Sequence, residues 1–138
     1  MKNRRQILTI LSAALAPAAG LKAASEVPNT VLGAGKARLQ REKFGDLRIY
    51  FDGFTGQLKS LTAGSLELKP GMSPHPPHQH PEEEIMLITQ GAGEIFLDGK
   101  TTPVGPGEMM YCAAGHMHGV TNTGSAPLTF FFYKWIAR

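Results

Sequence analysis

From Leu39 onward the chain is a succession of short stretches in which apolar and polar residues alternate, each closed by turn-forming residues, and none carries a helical period. Alternation at period two sends one face of a stretch into a core and the other outward, as a half-buried strand requires. Leu47-Ile49-Phe51 ends at Asp52-Gly53, and Leu66 and Leu68 alternate within Ser65 to Lys69 before Pro70-Gly71. Glu84 to Thr89 is nearly continuously apolar and stops at Gln90-Gly91. Glu94 to Leu97 leads into Asp98-Gly99, a pair suited to a type I′ hairpin turn because both central residues need positive φ. Further strands are expected at Met109 to Cys112, His118 to Thr121 and Leu128 to Trp135. The 16 glycines and 10 prolines supply the turns, and 42% hydrophobic residues in 138 are enough for one core. The prediction is a single all-β domain, a sandwich or barrel, over residues 39–138. Residues 25–38 form an N-terminal arm, either poorly ordered or an edge strand.

The basic balance of the chain belongs to its start. The net charge is +3, yet residues 1–24 hold Lys2, Arg4, Arg5 and Lys22 and no acidic residue, so the remainder sets 10 basic residues against 11 acidic ones. Nucleic-acid binding needs clustered cations on one face, and a domain at −1 does not offer them. Residues 1–24 read as an export signal: a charged start, an apolar run from Ile7 to Leu15, then small residues through Ala16-Pro17-Ala18 and Ala23-Ala24. Arg4-Arg5 followed by Ile7-Leu8 resembles a bacterial twin-arginine signal, with Asn3 where serine or threonine usually stands. This predicts a periplasmic or secreted protein. No stretch reaches the roughly 18 unbroken apolar residues of a membrane span, so no stable membrane insertion is expected after signal removal. The single cysteine, Cys112, excludes an internal disulfide.

All five histidines fall in two clusters, His75, His78 and His80, then His116 and His118. On extended backbone, His78 and His80 share a face and suit one ion. Pro81 should break the chain, and Glu84 then opens an apolar strand, where a carboxylate needs a partner to offset its desolvation. A metal ion is the simplest partner, and His118 would reach it from a later strand.

The spacing His78-x-His80-x3-Glu84-x6-Gly91, followed after fifteen residues by Gly107-x7-Gly115-x2-His118-x3-Asn122, resembles the two motifs of the cupin superfamily. The likeness runs from about Leu39 to the end. Two positions depart: the glycine usually six before the first histidine is Gly71, one place early, and the proline of the second motif is Ala113. The resemblance implies a cupin-type jelly-roll β-barrel of two antiparallel sheets. It also implies one divalent transition metal (Mn, Fe, Co, Ni, Cu or Zn) held by His78, His80, Glu84 and His118. Such a nitrogen-rich set matches poorly with Mg or Ca, and on an octahedral ion it leaves two adjacent positions open.

The other singled-out residues read more plainly. His75, between prolines, is a loop histidine; His116 is a solvent-facing turn residue, or orients a ligand from behind; Cys112 is a small buried packer; Glu82 and Glu83 form a solvated bend. The expected inner positions Met86, Ile88, Phe96, Leu97 and Met110 hold no lysine or arginine, which favours a small, largely neutral or aromatic ligand. The first functional expectation is therefore an exported metal-dependent enzyme, of oxidoreductase or dioxygenase type, acting on a small molecule. The alternative is a non-catalytic exported module that binds a metal or small ligand. Single-domain cupins commonly pair through a sheet edge, which implies a homodimer.

Overall fold

The computed structural model describes residues 23–138. The expected export signal thus lies, but for its last two residues, outside the described part. Among the described residues nine strands follow one another: β1 (Arg38–Glu42), β2 (Gly45–Gly53), β3 (Leu58–Leu68), β4 (Glu83–Gln90), β5 (Gly93–Leu97), β6 (Lys100–Val104), β7 (Met109–Cys112), β8 (His118–Thr121) and β9 (Leu128–Ala137). They form a six-stranded sheet in the order β1-β2-β3-β9-β4-β7 and a three-stranded sheet in the order β6-β5-β8. Every pairing between these strands is antiparallel. This is the expected all-β jelly-roll arrangement.

The punctuation works as its chemistry requires. Asp98 and Gly99 both take positive φ, 47° and 84°, and fold β5 onto β6. Gly91, at φ 85°, carries the chain from β4 in the large sheet to β5 in the small one, and a Cβ there would run into the Pro127 carbonyl. The inward side chains of both sheets meet in one core, where Leu66, Leu68, Ile88, Ile95, Leu128 and Phe130 are all buried. Each such aliphatic or aromatic side chain contributes about 1.5–3 kcal/mol on leaving water.

Several elements differ from expectation, β1 and β6 among them, since no expected strand covers either. β3 starts at Leu58, well before Ser65, because Thr62-Ala63-Gly64-Ser65 is zipped between β2 and β9 on both edges. Long-range pairing there overrides weak local preference. The arm touches the barrel: Val27 N donates to Phe54 O and Phe54 N to Ser25 O. One inner-face assignment fails. Gly93 and Ile95 are the buried residues of β5, so Phe96 points to the opposite face, where it borders a surface hollow with Pro74, Pro76 and Pro77.

Register places the site. Directly paired residues share a face, so Ile49, Gly64, Phe132, Met86 and Met110 make one row across the inner face of the large sheet. Two residues further along each strand (one more across the bulge in β2), a second row runs Asp52, Thr62, Lys134, Glu84 and Cys112. The wall thus passes from an apolar row to one that sets Glu84 and Lys134 at the cavity, with Asp52 exposed at its far end.

Candidate metal centre

His78 belongs to no strand, yet its backbone is held as firmly as one. His78 N donates to His118 O and His118 N to His78 O, both at 2.9 Å, pairing the proline-rich segment with β8. Gly115 N donates to His80 O at 2.8 Å, fixing the other end. Pro77 packs over Gly119, where a Cβ would come within 3.2 Å of its Cα. After the bend at Pro81, β4 delivers Glu84 from the facing sheet.

Of the four expected side chains, His78, His80 and His118 come together, and the Glu84 carboxylate meets two of these rings. Glu84 Oε2 lies 2.9 Å from His80 Nε2 and 2.9 Å from His118 Nε2. The ring centroids of His78, His80 and His118 are 4.8 to 5.2 Å apart. These three histidines offer ring nitrogens within 4.8 Å of one another, a group that could hold a metal ion. Glu84 and His118 are buried.

Backbone carbonyls set the tautomers. His80 Nδ1 is 3.1 Å from Glu82 O, and His118 Nδ1 is 3.1 Å from His116 O. A carbonyl can only accept, so each Nδ1 carries the proton and donates it. In the neutral rings both Nε2 lone pairs then face the Glu84 carboxylate, an acceptor facing two acceptors. That arrangement calls for a cation between them, either protons on the rings or one metal ion. Donor atoms bound at about 2.1 Å and at right angles lie about 3.0 Å apart, close to the observed spacing. The donor set therefore fits a divalent transition metal.

Electrostatics point the same way. Burial, then the neighbouring His75, His118 and His80, lower the His78 pKa to about 4, so its ring is neutral at pH 7 with a free lone pair. Burial pushes the Glu84 carboxyl up, but hydrogen bonds from His118 and His80 outweigh it and the carboxyl ends below its ordinary value. The hydrogen bond to Glu84 raises the His118 pKa against the opposing effect of burial. Glu84 is thus an anion set between imidazoles.

The remaining residues fall partly as expected. Cys112 is buried, and burial raises its thiol pKa, as an inert packer requires. The His116 ring is exposed and pairs with Asp98 Oδ2 at 2.6 Å; its carbonyl, not its ring, orients His118. Glu82 is more than a solvated bend, because its carboxylate Oε2 sits 3.2 Å from His80 Nδ1. His75 is in a loop, yet its ring stacks on His78 with centroids 3.7 Å apart.

A cavity of about 200 Å³ opens on the cluster, smaller than the roughly 300–1,000 Å³ usual for drug-sized ligands. Phe44, Leu47, Met86, Phe130 and Phe132 give it apolar walls. The interior, expected to be poor in lysine and arginine, is lined by one such residue outside the expected inner positions, Lys134. Lys134 was legible in principle: Leu128, Phe130, Phe132 and Lys134 follow one another at period two on β9, so the lysine shares the inward face.

With that geometry in view, the comparisons with known proteins are decisive for the family. The cupin domain family model matches residues 64–133. The chain belongs to the cupin family. No curated protein matches it. Among solved structures, an RmlC-like cupin from Shewanella frigidimarina is similar over 81% of this chain and 95% of its own, at 14% identity and a TM-score of 0.67. A protein described as a predicted oxalate decarboxylase, from Thermotoga maritima, is similar over 78% of this chain and 99% of its own, at 21% identity and a TM-score of 0.63. The polyketide cyclase RemF from Streptomyces resistomycificus is 20% identical, covering 77% of this chain and 78% of its own, with a TM-score of 0.63. At these identities the likeness extends to the cupin fold and not to any one activity.

Proposed function

We propose that this cupin holds one divalent transition metal through His78, His80, Glu84 and His118 and acts as a metal-dependent enzyme of the oxidoreductase type on a small molecule. The observation that carries the reading is the buried Glu84 carboxylate facing two imidazole nitrogens whose other nitrogens are committed to backbone carbonyls. Bound there, such an ion supplies a Lewis acid and, if redox-active, a partner for dioxygen. The chain's own part is orientation and exclusion. The Glu82 and His116 carbonyls hold two ligand rings in place, and Phe130 and Phe132 keep the ligand body away from water. The similar solved structures include a predicted oxalate decarboxylase and a polyketide cyclase, so the same fold is compatible with a catalytic role. The sequence of residues 1–24 supports export, by the twin-arginine route, to the periplasm or beyond.

Elemental analysis of protein from its own host should give one metal per chain. His80→Ala and His118→Ala should lose it, while His75→Ala should keep it. Dioxygen uptake against a panel of phenols, diketones and thiols tests the enzyme. A stoichiometric metal that is inert towards the whole panel would overturn the catalytic reading in favour of a binding module.

A further inference from the structure

Among the described residues, Lys134 is the one lysine or arginine lining the cavity. It stands directly opposite Glu84 across the β4–β9 pairing, so both side chains leave the sheet on the same face. That neighbour does not neutralise it. Glu84 Oε2 is engaged by His80 and His118, and among the described residues no carboxylate comes within 4.0 Å of the Lys134 ammonium. On its other side the direct partner is Thr62, whose hydroxyl donates to Asp52 Oδ1. The residue is half-buried beside apolar walls, where an ammonium without a counter-charge is costly.

We infer that the cavity takes a small carboxylate-bearing molecule, its anionic group on Lys134 and its carbon body against Phe130 and Phe132. The inference rests on the metal reading above and deepens it by naming the substrate class. Charge supports it. A divalent ion and Lys134 face one cavity carboxylate, Glu84, and Glu82 reaches His80 only at its far nitrogen, so the cavity retains positive charge for an anion to balance. The cavity volume of about 200 Å³ suits a body the size of a single ring. The apolar walls alone would suit a neutral ring; the lysine adds the discrimination.

Benzoate and benzamide share shape and differ in charge, so they isolate that discrimination. Isothermal titration of the metal-loaded protein should show benzoate binding about ten- to a hundredfold more tightly than benzamide, the range expected of one charge-assisted hydrogen bond. Lys134→Met keeps the apolar stem and should erase the preference while leaving metal content unchanged; Lys134→Arg should restore it. Equal binding of the two probes by the wild type, or an undiminished preference in Lys134→Met, overturns the inference. Elemental analysis of the same samples keeps the two readings apart. A stoichiometric metal without anion preference sinks the substrate class alone, and absence of metal sinks the metal reading. The metal-free protein titrated with the same pair then reads the lysine by itself, with the same outcomes for and against.

Discussion

Asn122 closes the second cupin motif, and its fully buried side chain is a structural tie whose removal has a calculable cost. Its Nδ2 donates to Leu68 O at 2.9 Å and to Ala126 O at 2.9 Å, and its Oδ1 accepts from Gly124 N at 3.0 Å. One amide therefore joins the end of β3 to the turn between β8 and β9. At about 1 kcal/mol net for each bond, and more where a buried partner is left without a substitute, Asn122→Ala should cost about 3 kcal/mol. For a domain of this size each kcal/mol moves the midpoint by about 4 °C, so Tm should fall by about 12 °C. Asn122→Asp keeps the acceptor for Gly124 but sets a carboxylate against two carbonyls, and should be at least as damaging. Thermal unfolding followed by far-ultraviolet circular dichroism reads all three proteins. The exposed neighbour change Thr123→Ala should stay within about 2 °C of the wild type. A fall of less than about 3 °C for Asn122→Ala, or wild-type behaviour of Asn122→Asp, would refute the reasoning.

Two further outcomes follow from the same geometry. In metal-free protein the His78 pKa is about 4 against 6.5 for the free side chain. Between those values the unfolded chain binds the proton and the folded one does not, so His78 erodes stability as pH falls through that window. His118, shifted upward, acts in the opposite sense: its contribution is full below 6.5 and is lost as pH rises through its folded value. It is common to both proteins compared. Urea midpoints with chelator at about pH 7 and about pH 4.5 should therefore differ less in His78→Gln than in the wild type; equal differences would contradict the shift. Gly64→Ala would place a Cβ 2.6 Å from Arg48 O and 2.6 Å from Phe132 Cζ. It should lower stability by about 1–3 kcal/mol in urea titration and displace the ring that walls the cavity; an unchanged midpoint would argue against the close packing.

The candidate site was largely readable from spacing, because His78, His80, Glu84 and His118 each occupy a motif position and the motif encodes how strands cross. Turn chemistry at Asp98-Gly99 was equally legible, since only certain residues tolerate positive φ there. What escaped needed the partner strand. The first half of β3 carries too little β preference to announce itself and becomes a strand because β2 and β9 flank it. β1, with the sequence RLQRE, shows little apolar alternation and exists through its pairing with β2. Lys134 had the correct period on β9, but that it stands opposite Glu84 follows only from the β4–β9 register. Tautomer control by the Glu82 and His116 carbonyls is a matter of main-chain placement, which side-chain motifs do not record.

The central claim is that four side chains hold one metal ion inside the barrel, and anomalous diffraction from crystals of the metal-loaded protein tests it most directly. The account predicts one peak per chain, within about 2.0–2.3 Å of a ring nitrogen of each of His78, His80 and His118 and of a Glu84 carboxylate oxygen. A peak elsewhere, or none while His80 and His118 still pair with Glu84 alone, would contradict it.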